Sequence, residues 1–212
     1  MIRTSRLRFP SLLACAMSLA LAGCIGSSRP SRFYTLEPLE VRDGRGTTTT
    51  DASLAVGPIE LPDYVDRPQI VTRTGTSELV IAEFDRWGGS LENQISDSLV
   101  ATLQGRLATR QVAVYPWRSS ARSRATPYRL AVSVSRFDGV LGQSVVLQAR
   151  WTLTSLNGEK EESLAVNEAV VTEQVAGSDY EALVAAMQRA LIRFGQQMGD
   201  SIAETKQLAS AR

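Results

Sequence analysis

Residues 128–174 carry the pattern that limits the fold most. Three long segments there, Tyr128–Gly139, Ser144–Leu156 and Glu162–Gln174, alternate apolar with polar side chains. A period of two puts one set of side chains on each face of a β-strand, so the segments predict strands with one face turned to a core. Between the second and third, Asn157–Glu159 reads "NGE", and Asn-Gly accepts the positive φ values of a tight hairpin. The stretch therefore predicts a three-strand meander. Beyond Gln174 the period changes. Tyr180, Val184, Met187, Leu191, Phe194, Met198 and Ile202 recur at spacings of 4-3-4-3-4-4, the stripe of a core-facing helix of about six turns. Ser178 or Asp179 is placed to cap it.

The first half of the chain supplies shorter elements. Arg32–Pro38 and Ser53–Pro62 predict strands, and Pro58 marks a bulge or an edge position in the second. Gln69–Gly75 and Glu78–Phe84 predict a hairpin with Gly75 in its turn. Ser90 is a candidate N-cap, and Leu91, Ile95, Leu99, Leu103 and Leu107 then recur every fourth residue as a helical stripe. Gln111–Pro116 predicts a strand, while 42–51 and 117–127 read as loops. Two helices among seven or eight strands imply an α/β fold, a single domain of mixed β-sheet with two main amphipathic helices packed on it. The strand–helix–strand passage from Glu78 to Pro116 is expected to supply the parallel part. The folded body is expected to span 32–206, with a tail at 207–212.

The amino terminus has a different character. Arg3, Arg6 and Arg8 precede an apolar run from Leu12 to Leu21, then "LAGC" at 21–24. About ten apolar residues are too few to cross a bilayer core of roughly 30 Å as a helix. The run reads as an export leader, 1–23, and "LAGC" resembles a bacterial lipobox, cut between Gly23 and Cys24 with lipid attached to Cys24. Residues 24–31 then form a lipidated anchor and a polar tether. From Cys24 to Arg32 that tether spans less than about 30 Å even when extended.

Charge and missing residue types narrow the chemistry. Loss of Arg3, Arg6 and Arg8 lowers the basic count from 23 to 20 against 22 acidic residues, a net −2. Such a balance argues against nucleic acid as a partner. The chain has no histidine, and its other cysteine, Cys15, leaves with the leader. Ser-His-Asp and Cys-His catalysis and His-ligated zinc are thereby excluded, and no enzyme activity, metal or cofactor is expected. Acidic groups such as Asp63 with Asp66, or Glu159, Glu161 and Glu162, have no neighbour in sequence that would raise a pKa for acid–base work.

Several residues remain as candidate partner or lipid contacts. Tyr64 and Arg67 lie in "LPDYVDRPQ" (61–69), where two prolines fix a turn that suits either a contact surface or a plain connection. Trp87 precedes the first helix, as a packing staple or as a binding aromatic. Arg118, Arg122, Arg124 and Arg129 crowd one loop, able to grip anionic headgroups or an acidic partner, or simply to be solvated. "RWGGSLENQ" (86–94) places two glycines where free N–H groups of a helix start can face an anion.

Taken in order, "FYTL" (33–36), "LPDYVDRPQIVTRT" (61–74), "RWGGSLENQISDSLVATL" (86–103), "VSRFDG" (134–139), "ARWTL" (149–153) and "DYEALVAAMQRAL" (179–191), behind a lipobox, resemble the PqiC/YmbA family of ABC-type transport auxiliary lipoproteins. The resemblance implies a non-enzymatic, outer-membrane-anchored lipoprotein on the periplasmic face. It would act as the docking or receptor subunit of an MCE-type intermembrane lipid transport system. The implied partners are the membrane itself, an MCE-domain protein (PqiB-like), an inner-membrane transporter subunit and further copies of the chain in a homo-oligomer. A lipid-binding carrier or chaperone is the alternative. The sequence departs from the family at 87–91, Trp-Gly-Gly-Ser-Leu where Trp-Ala-x-Pro-Leu is expected, which leaves the helix entry less fixed.

Overall fold

The computed structural model describes residues 29–37, 53–107, 112–115, 128–157 and 160–210. Within them lie strands β1 (Arg32–Tyr34), β2 (Leu54–Glu60), β3 (Gln69–Arg73) and β4 (Leu79–Trp87), then helix α1 (Leu91–Arg106). Strands β5 (Val112–Val114), β6 (Tyr128–Gly139), β7 (Ser144–Asn157) and β8 (Lys160–Gln174) come next, and α2 (Tyr180–Ser210) closes the order. The expected α/β body with two amphipathic helices is present, built on two mixed sheets. One has the order β1-β4-β3, the other β5-β2-β6-β7-β8.

The meander forms as the alternation dictates. β6 and β7 pair antiparallel from Tyr128↔Ser155 to Gly139↔Val145, and β7 and β8 from Ser144↔Gln174 to Asn157↔Lys160. The inward set includes Leu130, Val132, Leu147, Ala149, Trp151, Leu153 and Val171, all buried. Against it lies α2, whose predicted stripe from Val184 to Ile202 is buried throughout. Asp179 is the cap, its Oδ1 accepting from the Ala182 N–H at 2.8 Å. The helix runs 31 residues, longer than the stripe alone predicts.

The predicted source of parallel pairing is not the one observed. β4 and β5 belong to different sheets, so the passage between them crosses from one sheet to the other. The parallel pairs are β1 with β4, and β2 with both β5 and β6. β2 lacks the flanking helix that signals a crossover strand, yet it is buried along most of its length and sits inside the five-stranded sheet. Pro58 accordingly marks a bulge and not an edge: the register slips between Val56 and Ile59, where the ring offers no N–H.

The helix α1 is buried on its predicted face, Leu91, Ile95, Leu99, Leu103 and the C-cap Leu107. It meets α2 closely, because two glycines of α2 make room. A Cβ at Gly195 would stand 2.9 Å from Thr102 Cγ2, and one at Gly199 2.6 Å from Arg106 Cγ. Among the described residues no helix is long and apolar enough to cross a membrane.

Candidate functional site

The three-stranded sheet and the entry to α1 bring the candidate residues of the first half together. Pro62 O accepts from the N–H groups of Val65 and Asp66, at 3.0 and 3.2 Å, and Val65 O accepts from Arg67 N–H at 2.8 Å. This tight turn delivers Arg67 to the start of α1, where Pro68 O accepts from the Trp87 N–H at 2.7 Å. Phe33, Asp66, Arg67, Pro68, Trp87 and the segment from Gly88 to Leu91 line an open groove of about 420 Å³.

Trp87 is only 4% exposed. It packs in the core beneath the groove, which fits a staple and leaves only its border to a ligand. The helix entry is well held despite its missing proline. Ser90 Oγ accepts from Asn93 N–H at 3.3 Å, as predicted for the cap. Gly88 N–H donates to Tyr34 O at 2.8 Å, and a Cβ at Gly88 would stand 3.0 Å from Thr35 Cγ2. Gln94 Oε1 reaches across to the Leu36 N–H at 2.7 Å. A small residue at 88 thus lets the chain after β1 lie directly against the helix start.

Tyr64 takes a different part. It is half-buried rather than exposed, and its hydroxyl donates to Asp138 Oδ2 at 2.6 Å. Asp138 is fully buried and also accepts from Arg73 Nε at 2.8 Å and Arg136 Nε at 3.0 Å. The Arg73 guanidinium sits 5.7 Å from the centroid of the Tyr64 ring. One carboxylate therefore ties the 62–68 turn and β3 to β6 of the other sheet. Burial, and then the neighbouring Asp138 carboxylate, push the Tyr64 pKa up. The cluster is saturated with internal partners and is built to hold the two sheets together.

Asp85 does the same on a smaller scale. Its Oδ1 accepts from Arg32 Nε and from Tyr34 OH, each at 2.9 Å, fastening β1 to β4. Burial and the Asp85 hydrogen bond raise the Tyr34 pKa from 10.0 to about 12.

Cys24, Gly23, Arg118, Arg122 and Arg124 lie outside the described residues. Among those described, no group of three or more acidic, cysteine or histidine side chains is placed to hold a metal ion. Phe33 and Asp138 are among the residues of the site that the sequence reading does not single out, with Arg73, Arg136, Tyr34 and Asp85. Phe33 is legible, since Tyr34 and Leu36 point inward and alternation turns Phe33 outward. Beyond Arg136 two residues before it, Asp138 carries no local signal, because its partners Tyr64 and Arg73 lie 74 and 65 residues away.

Residues 34–199 match the family model described as "ABC-type transport auxiliary lipoprotein component". The chain is 29% identical over 143 residues to the "Intermembrane transport lipoprotein PqiC" of Escherichia coli, covering 66% of this chain and 72% of that protein. A protein of the same description from Shigella flexneri matches to the same extent. Among solved structures, protein XCC0632 from Xanthomonas campestris superposes with a TM-score of 0.70 at 19% identity, covering 86% of this chain and all of that one. A further crystal structure of an uncharacterized protein gives 0.66 at 21% identity, over 82% and 99%. These two share the fold.

Proposed function

Because the chain belongs to the family of ABC-type transport auxiliary lipoprotein components, we propose that it is the lipid-anchored docking subunit of an MCE-type intermembrane transport system. Cys24 would carry the lipid and hold the body on the periplasmic face of the outer membrane. An MCE-domain protein, itself linked to an inner-membrane transporter subunit, would come to it. The observation that carries this reading is the family match from 34 to 199, which takes in every strand from β2 onward and all of α1. The likeness to an intermembrane transport lipoprotein supports it in particular.

Physical features agree with a stationary receptor. A multiply acylated cysteine gains about 0.8 kcal/mol per buried methylene, which makes attachment effectively permanent. The short tether keeps the body at its own leaflet. The clusters around Asp138 and Asp85 spend their polar groups on internal partners, as a rigid platform requires. A homo-oligomer has a physical place to form, since β8 edges its sheet with Leu164, Val166 and Val170 exposed. A long apolar edge of that kind is normally covered.

The reading is tested by purifying the lipidated chain from its own membranes in mild detergent. An MCE-domain protein should come with it in stoichiometric amount. Repeated recovery without any such protein, under conditions that preserve membrane complexes, would count decisively against docking.

A further inference from the structure

We propose that the groove between Phe33 and the first turn of α1 is the face on which the folded body rests against a phospholipid leaflet. Phe33 enters the interfacial layer, and Arg67 and Arg86 meet lipid phosphates. The inference rests on the lipid-anchor reading of Cys24.

Phe33 is 67% exposed, the most exposed large apolar side chain among the described residues. Its position is nonetheless fixed. The backbone pairs with Arg86 in the β1–β4 ladder, and the side chains on either side, Arg32 and Tyr34, are both bound to Asp85. A held backbone that points a phenyl ring into water presents an apolar group at one fixed place on the surface. The ring borders a groove with apolar walls, Pro68, Trp87 and Leu91.

The surrounding charge selects the destination. Arg67 lines the same groove, and Arg86 is the register partner of Phe33. The Nε of each is buried with no hydrogen-bond acceptor in the protein. An aromatic ring beside two guanidinium groups matches a surface of acyl chains topped by phosphates, which meet the charge of each group and not its buried Nε. The exposed carboxylate of Asp66 at the rim is the one opposing charge among the residues lining the groove. The other exposed apolar groups lie in acidic settings. Leu79 and Ile81 stand between Glu78 and Glu83, and Leu164, Val166 and Val170 share β8 with Glu161, Glu162 and Glu168, of which Glu161 pairs with Arg129 and Glu168 with Arg150. An anionic leaflet suits either less well than the groove.

Chain length points the same way. Phe33 is nine residue steps from Cys24, no more than about 32 Å when extended. β1 is the first described strand after the tether, and Phe33 is its exposed apolar side chain, which a lipidated Cys24 keeps within reach of the interface.

The test uses the full mature, lipidated chain carrying Asp66→Cys. With the Cys24 sulfur acylated, position 66 has the sole free thiol, and its neighbours in sequence are far from the anchor. An environment-sensitive label at 66 is read on phosphatidylcholine vesicles, with or without phosphatidylglycerol, that contain nitroxide-tagged lipid. The same label at Glu162→Cys, on β8, is the reference. Quenching and a blue shift are expected at 66 and not at 162. Adding Phe33→Ala should abolish them, and this truncation spares the core because the ring is exposed. Arg67→Gln should lower the preference for phosphatidylglycerol by about fivefold, and high salt should do likewise. Equal quenching at 66 and 162 on vesicles that carry the protein in flotation would overturn the proposal. So would a shift at 66 that tracks protein concentration without lipid, which would assign the face to a second copy. Failure of the unsubstituted lipidated chain to float would instead defeat the anchor reading beneath it.

Discussion

At the scale of single residues, stability concentrates in a few buried polar atoms. Asp138 accepts hydrogen bonds from the 62–68 turn, from β3 and from its own strand, so removing it strands the largely buried Arg73 guanidinium and a phenol. Asp138→Ala is expected to lower unfolding free energy by roughly 3–5 kcal/mol, while Tyr64→Phe, which deletes the hydroxyl's bond to Asp138, costs about 1–2 kcal/mol. The Tyr64 change also removes the longer bond that its hydroxyl accepts from the Phe137 N–H at 3.4 Å. Chemical denaturation monitored by circular dichroism checks both variants. Tyr34 adds a pH dependence. Its folded pKa, about 12, lies above the ordinary 10.0 because burial and Asp85 favour the neutral phenol. That contribution is complete below pH 10.0 and is lost as pH climbs through about 12. Tyr34→Phe should therefore flatten the alkaline fall in stability across that window, and an unchanged slope would show that the phenol does not sense its partner.

At the scale of elements, the close approach of α1 and α2 depends on the absence of side chains at Gly195 and Gly199. Gly195→Leu would force Thr102, itself buried, out of its place. A loss of about 1–3 kcal/mol is expected from such overpacking, despite the better helix propensity of leucine, read as a fall in thermal midpoint. The edge strand makes a second prediction: Val166→Lys together with Val170→Lys should reduce any homo-oligomer to smaller species in light scattering, with the fold unchanged. These elements also show what a sequence makes legible. The stripes of α1 and α2, the Ser90 cap, the hairpin at Gly75 and the meander all arise from local periodicity and turn chemistry. The division into two sheets does not. It depends on β2 pairing with strands far along the chain and on Asp138 gathering Tyr64 and Arg73, and neither event has a local signature. Of the candidate contacts, Arg67 and Trp87 come together in the groove, while the half-buried Tyr64 is drawn into the Asp138 cluster.

At the scale of the whole molecule, polar clusters spent on internal partners, together with the proposed short tether from a lipidated Cys24, suit a fixed station better than a mobile carrier. The family to which the chain belongs is one of transport auxiliaries, and the lipid link decides where such an auxiliary can act. Cys24→Ser should release the protein from membranes without altering the fold beyond Ser31, which cell fractionation would report. The most direct test is the mass of the amino-terminal peptide of the protein extracted from its native membrane. It should begin at Cys24 and carry the added mass of a diacylglyceryl group. A free thiol at that position, or a leader still attached, would contradict a body held by lipid at one leaflet and with it the docking role.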